Sequence, residues 1–440
     1  MAAVGRRAVL ASMGGAGVTF LGAGPSLAGG GRRPEVLRPG RPHHVGLDPA
    51  PIEAARAAIR GYMEPQANGY PMYPGAVGLM AHRARVVAVE VCGDAVRYAD
   101  ATTELPPHER VEMRRDTVFD LASVSKLFTS IAAVQLIEEG RVELGAPVAR
   151  YLPEFAAGGK EGVTVQHLLT HTSGFVAWLP LWSAHPDRAA RIAAVMRQST
   201  QDPPGTVYRY SDLNLIALGV LVERLRGRPL DVVVRDRITR PIGMRSTGYT
   251  PRRASRCAAT EYQASPPRGM VRGEVHDENA WSLGGVAGHA GVFSTVDDLA
   301  VLAQALLNGG SYRRGRILRP SSVELLVTDY NAAFPGNAHG LGFELDQPWY
   351  MDALSGPRTA GHTGYTGTSL VVDFSSQSFA ILLTNRVHPS RSWGSVNPAR
   401  QAWARGLALA QGREPLPSAR RASDPPGYTA QDAETRGAAS

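Results

Sequence analysis

The sequence predicts an α/β (α+β) fold: an antiparallel sheet built from both chain ends, flanked by helices, with a mainly helical middle region. Three observations carry this reading. Two strand-like runs, Gly75 to Met80 and Val86 to Val91, lie near the start. From Lys126 to about Leu307 apolar residues recur at helical spacing. Two further strand-like runs, Thr368 to Asp373 and Phe379 to Thr384, lie near the end. Strands at both ends with helices between them pair most simply into one sheet covered by the inserted helices.

Each element has its own signal. Ile52, Ala55, Ile59 and Met63 mark a first helix. The two early strand-like runs are separated by a short His-Arg-Ala-Arg turn and read as a hairpin. Leu127, Ile131, Val134 and Ile137 form a helical stripe ended by Gly140. Leu213, Ile216, Val220 and Leu221 form a second, ended by Gly227, and Leu299, Leu302 and Leu306 a third, ended by Gly309-Gly310. A last helical segment runs from about Pro398 to Gln411.

The chain ends read differently. Arg6-Arg7, an apolar Gly- and Ala-rich run from Ala8 to Leu27, and the small residues Ser26 and Ala28 have the form of an export signal over residues 1–28. The twin arginine points to the Tat-like route for folded proteins. Pro25 and the many glycines make the run a poor bilayer span, and no cysteine follows it for lipid attachment. Residues 29–49, rich in Gly, Pro and Arg, read as a linker, residues 50–412 as one domain, and residues 413–440 as a flexible tail. The expectation is an extracellular or cell-envelope protein with no stable membrane anchor.

Composition bounds the function. The 440 residues are 43% hydrophobic and 20% charged, enough to bury a core. The net charge of +8 falls to +6 when the signal leaves, because residues 1–28 carry two arginines and no acid. The excess reads as scattered arginines, with no long basic run and no aromatic-interleaved stripe, which argues against a nucleic-acid partner. Cys92 and Cys257 fit no metal or redox spacing and read first as two independent small buried residues, the alternative being a pair formed in an oxidising compartment.

Lys126 and Lys160 are the only lysines in a chain whose remaining positive charge is arginine. Lysine can lose its proton in surroundings hostile to charge, whereas arginine stays charged. Lys126 closes the sequence Ser123-Val124-Ser125-Lys126, an S-x-x-K pattern. On a helix beginning at Ser123 the two side chains share a face. The amine can then take the seryl proton, and the helix dipole favours negative charge developing on the seryl oxygen. Tyr210, in Tyr210-Ser211-Asp212, offers a phenol that can share that proton transfer. His362-Thr363-Gly364 reads as a Gly-rich turn entering a strand, able to present a backbone N–H to an oxyanion.

In this order the motifs resemble the serine β-lactamase and penicillin-binding protein superfamily, nearest its class C and esterase-like branch. The resemblance spans about Ala50 to Gln411. It runs through PGAVGLMAHRARVVAVEVCG, FDLASVSKLFTSIAAVQLIEEGRVELGAPVARYLPEF, HLLTHTSGF, PGTVYRYSDLNLIALG, GGVAGHAGVFSTVDDLA, GLGF and GHTGYTGTSLVVD. It implies a β-lactamase-like fold, Ser123 as acylated nucleophile, Lys126 as its proton acceptor, and Tyr210 as partner in proton shuttling and in activating the deacylating water. It also implies an oxyanion hole from the backbone N–H groups of Ser123 and Tyr365. Asp212, His362, Thr363 and Gly364 fall at substrate-binding positions. No metal or other cofactor is implied.

Two departures bear on substrate. Asp212 stands where the family often has Asn, which puts in doubt the amide contact that a β-lactam receives. His362 stands where the family has the lysine of K-T-G, so a permanent cation for a substrate carboxylate is missing. Both weigh against an efficient β-lactamase.

Other features carry less. His167 and His171 have i, i+4 spacing but lack the glutamate of H-E-x-x-H, and read as structural. His289 reads first as a structural loop residue and second as one lining the cleft, and Asn385 to His388 as a segment at the pocket edge. No G-x-S-x-G elbow, P-loop or G-x-G-x-x-G after a strand occurs. The expectation is a secreted serine hydrolase acting through an acyl-enzyme on a small ester, amide or peptide, esterase-like in the first instance. The alternatives are a D-alanyl peptidase or β-lactamase on cell-wall-like substrates, and a catalytically silent penicillin-recognising binding module.

Overall fold

Two hairpins from opposite ends of the chain meet edge to edge. In the computed structural model, which describes residues 34–417, the strand Gly75–His82 pairs antiparallel with Arg85–Val96 on one side and with Ser378–Thr384 on the other. Leu79 faces Ile381 and Val77 faces Leu383 across that junction. Beyond it lie Ser369–Asp373, Thr359–Thr363 and Glu344–Leu345, giving an eight-stranded sheet among the described residues. The predicted union of both chain ends in one sheet is therefore the observed architecture.

Every residue of Gly75–His82 and Ser378–Thr384 is buried, because both faces of the sheet are covered. Alternate side chains enter two cores, as the strand period of two demands. Val77, Leu79 and Ala81 join the core of the middle helices, while Ala76 and Met80 join that of the terminal helices Pro49–Gly61 and Asn397–Ala410. Gly78 lies against the Trp403 ring, where a Cβ would come within 2.6 Å.

The predicted stripes form the helices Ser125–Glu138, Asp212–Arg226 and Val296–Leu307. The middle region also contains strands that its helical periodicity concealed. Phe119–Asp120, Val292–Ser294 and Gly248–Tyr249 form a small sheet of their own.

Three expectations need correction. From residue 34 onward the predicted linker is built into the domain. Arg38–Pro39 adds a strand parallel to Arg85–Val96, so the sheet is not wholly antiparallel, and Asp48 caps the first helix. His362 and Thr363 do not enter a strand from a turn; they end the strand Thr359–Thr363, which pairs with Ser369–Asp373. The start of the predicted tail is also engaged: Arg413 pairs with Asp373. The predicted signal (1–28), residues 29–33 and residues 418–440 lie outside the described residues. No helix among the described residues is long and apolar enough to cross a membrane.

Candidate active site

Ser123 sits on a turn stapled by Asp120. The buried Asp120 carboxylate accepts the Ala122 N–H at 2.9 Å and the His276 N–H at 2.6 Å. This holds Ala122 at φ +47°, a left-handed conformation that a residue with a Cβ seldom adopts. The chain then makes a 3-10 turn over Ala122–Val124 before the α-helix begins at Ser125, two residues later than expected. The Ser123 N–H falls in that first turn, where backbone donors have no intrahelical partner.

Lys126 projects from the helix with 1% of its side chain exposed. Its Nζ donates to Ser123 Oγ at 2.9 Å and to the His289 carbonyl at 3.1 Å. It also lies 2.9 Å from Asp212 Oδ1 and 4.9 Å from the centroid of the Tyr210 ring. Three acceptors thus surround an ammonium that has three N–H donors. Asp212, expected at a substrate-binding position, lines the cleft and is also the counter-charge of Lys126. The carboxylate that replaces the family's amide neutralises a buried cation that an amide would leave unpaired.

A residue that sequence reasoning set aside positions this group. His171 Nδ1 accepts the Ser211 N–H at 3.1 Å and lies 3.2 Å from Asn214 Nδ2. Its carbonyl accepts the Arg209 N–H, and its ring packs 4.6 Å from that of Tyr210. Burial holds the His171 imidazole well below its ordinary pKa, so it stays neutral and accepting. His171 and His167 therefore do not form a metal pair; His167 accepts the Thr164 N–H as part of a helix cap.

The opposite wall is the turn after Thr359–Thr363. Thr366 Oγ1 donates to the Asp120 carbonyl at 2.7 Å and Thr368 Oγ1 to the Leu121 carbonyl at 2.9 Å. A Cβ on Gly364 would meet the Leu121 oxygen at 2.3 Å, so glycine allows this turn to press against the strand that leads to Ser123. Tyr365 and Ser123 line the same cleft, about 410 Å³ in volume. His362 does not line it. His362 is buried, its Nδ1–H donates to the Thr363 carbonyl at 2.7 Å, and burial with the nearby Lys126 charge pushes its pKa down to about 3. It is neutral and offers no charge to a substrate carboxylate.

The remaining cleft wall is acidic and aromatic, with Asp277, Glu278, Glu261, Trp178 and Trp182. Burial works to raise the Glu261 carboxyl, but His276 and Arg391 hold it well below the usual range. Arg391, the one arginine in this wall, is committed to Glu261 and Glu278. Asp212, Asp277 and His289 bring potential ligand atoms within 4.8 Å of one another. Lys126 already contacts Asp212, and His289 Nε2 is 2.9 Å from Asp277 Oδ1, so each of these groups already has a partner within the protein.

Of the sequence-predicted residues, Ser123, Lys126, Tyr210, Asp212 and Tyr365 converge; Thr363 and Gly364 support the turn, and His362 lies behind it. His388 is a brace: its Nε2 accepts the Arg97 and Tyr98 N–H groups, and it bonds the Thr260 carbonyl. Asn385 ties Gly75 to Asp94. Cys92 and Cys257 are unpaired, and burial pushes their thiols up to about 12 and about 11.

The chain is similar to known proteins over most of its length. The family model "Beta-lactamase" matches residues 35–404. A protein of Escherichia coli (strain K12) described as "Putative D-alanyl-D-alanine carboxypeptidase" is 31% identical over 365 residues, covering 74% of this chain and 81% of that protein. The "N-acetylmuramyl-L-alanine amidase" of Bacillus subtilis (strain 168) is 31% identical over 351 residues, covering 72% of this chain and 78% of that protein. Among solved structures, a penicillin-binding protein homolog from Caulobacter crescentus superimposes with a TM-score of 0.65 at 20% identity, covering 83% of this chain and 99% of that one. The hydrolase EstCE1 superimposes at 0.62 with 22% identity, covering 81% and 99%.

Proposed function

The chain belongs to the beta-lactamase family, and from that premise we propose that Ser123 is the nucleophile of an acyl-enzyme hydrolase acting on an ester or amide with no free carboxylate beside the scissile bond. The fold and the family make it a serine hydrolase of the β-lactamase type. The observation that carries the finer reading is the 2.9 Å contact of Lys126 Nζ with Ser123 Oγ, in a cleft whose one arginine, Arg391, is committed to Glu261 and Glu278, with the neutral His362 behind its wall.

The chemistry follows from the geometry. Proton transfer across the Lys126–Asp212 contact leaves a neutral amine beside a carboxylic acid. That amine accepts the Ser123 proton as Oγ attacks the carbonyl carbon. The N–H groups of Ser123 and Tyr365 hold the oxyanion. Collapse breaks the bond to the leaving group, which takes the proton from Lys126. Water then attacks the acyl carbon, its proton passing by way of Tyr210 and the Lys126 amine to Ser123 Oγ as the acyl–oxygen bond breaks, which releases the acid and restores the serine.

A second reading, a peptidase or amidase on cell-wall-like amides, is favoured by the names of the two relatives at 31% identity. Rapid-mixing kinetics with p-nitrophenyl butyrate, beside Ser123→Ala, tests the acyl-enzyme. A burst followed by turnover, absent in the variant, is expected; turnover retained in the variant overturns the assignment. Muramyl-alanine amides and D-alanyl-D-alanine peptides then separate the two readings, the carboxylate-bearing peptides being the poorer substrates. Export through residues 1–28 belongs to this proposal, and secretion of a fusion with and without Arg6-Arg7 tests it.

A further inference from the structure

The arginines are not evenly scattered along the chain: one segment concentrates them, and the fold shapes that segment into a groove. Residues 235–256 hold seven arginines and one acid, Asp236, a local charge of +6 in a chain whose total is +8. Six of them (Arg235, Arg240, Arg245, Arg252, Arg253 and Arg256) are exposed and line a single groove of about 970 Å³. Asp231 is the one carboxylate in that lining. Among the described residues, Arg235 pairs with its neighbour Asp236 and Arg256 with Asp116 at 3.4 Å, while the other four form no ion pair. Like charges concentrated without counter-charges repel one another, and an anion in the groove relieves that repulsion.

The groove is held in shape. Asp298 Oδ2 accepts the Ser246 N–H at 2.7 Å and the Thr247 hydroxyl at 2.8 Å. Thr250, β-branched, is kept at φ +47° immediately before Pro251-Arg252-Arg253. The groove abuts the same small sheet whose strand Phe119–Asp120 leads to Ser123, yet shares no lining residue with the catalytic cleft.

The lining also says which polyanion fits. Its aromatic rings, Tyr249 and Phe293, are buried at 8% and 2% exposure, so it offers no stacking platform for nucleobases. The arginines line a groove rather than a flat face, which suits a single strand better than a bilayer. Guanidinium groups match phosphate oxygens in bidentate geometry. We propose that this groove binds a flexible linear phosphate polymer without bases, independently of the hydrolase reaction.

The test is binding of the full chain to inorganic polyphosphate across a sodium chloride series. The expected result is affinity that falls linearly with salt on a log–log plot, as counterion release requires. Arg252→Gln/Arg253→Gln should weaken binding about tenfold or more and lower the salt slope by about one per arginine. Arg224→Gln, at an exposed arginine paired with Glu154 outside the groove, should leave it unchanged. If the first variant misfolds, Arg240→Gln/Arg245→Gln replaces it. No binding near physiological salt, or variants that bind as the wild type does, overturns the proposal. So does oligo-dT of equal charge, or vesicles of anionic phospholipid, binding as tightly as polyphosphate.

Discussion

Lys126 Nζ stands 2.9 Å from Asp212 Oδ1, with 1% and 4% of the two side chains exposed. A buried ion pair is strongly destabilising to break from one side, because the remaining charge is left without compensation. The same contact gives the lysine proton a second place to reside. Asp212→Asn should therefore lose stability, by about 3 kcal/mol or more, and should slow acylation by about 100-fold or more. Thermal unfolding and single-turnover kinetics read the two effects separately. Adding Lys126→Met to Asp212→Asn should restore much of the stability and none of the activity. A single variant that acylates at the wild-type rate overturns the role of Asp212.

Tyr210 presents its ring to Lys126 at 4.9 Å. Tyr210→Phe keeps that ring and removes the hydroxyl. Deacylation is expected to slow by about 100-fold and KM to fall alongside kcat, so the acyl form of Ser123 should accumulate and be visible by intact-protein mass spectrometry. Unchanged steady-state turnover would show that the hydroxyl takes no part.

Gly364 presses on the Leu121 carbonyl, where a Cβ would come to 2.3 Å. Gly364→Ala should displace the Tyr365 amide from Ser123 and lower kcat more than it raises KM, by about 10-fold or more, the signature of a lost oxyanion contact. An equal effect on both constants points to substrate binding instead.

Four buried histidines set the acid sensitivity. Burial lowers His362 to about 3, His339 and His388 to about 4, and His171 well below its ordinary value. In the unfolded chain each titrates near 6.5. Between about pH 6.5 and 4 the unfolded state binds more protons, so stability rises with pH there and is lost as acid is added. Tm should hold above pH 7 and fall steadily below about 6.5. His388→Gln should reduce the slope by one proton, about 1.4 kcal/mol per pH unit. A Tm flat down to pH 4.5 contradicts these neutral states.

Much of the fold was legible because its signals are local. The predicted stripe Leu127, Ile131, Val134 and Ile137 does lie on one helix, although that helix is buried on every side from Ser125 to Leu136 and Ile137 is only half-buried. Gly227 ends the next helix in the left-handed conformation. The strand Thr359–Thr363 was not legible: five residues with a glycine, a histidine and two threonines show no apolar alternation, and pairing with Ser369–Asp373 makes it a strand. Arg38–Pro39 escaped notice for the same reason, since its place depends on the edge offered by Arg85–Val96. Lys160 teaches a related lesson. It shares with Lys126 the distinction that drew attention, yet it is buried between Phe155 and Phe175 with its amine on the carbonyls of Ala157 and Gln198, a structural anchor.

By itself the sequence determined the main helical stripes and the glycines that end them, the union of its two termini in one sheet, and the Ser123–Lys126 pair, because residues three apart on a helical turn are neighbours wherever the turn lies. The tertiary structure alone decided the partners and charge of those groups. Asp212 reaches Lys126 from 86 positions away, His171 aligns the segment carrying Tyr210, and His362 is silenced by burial. Arginines spread over 22 positions become one groove. Periodicity is written between adjacent residues, whereas a side chain's electrostatic environment is set by whatever the folded chain brings within a few ångströms and by how much water it excludes.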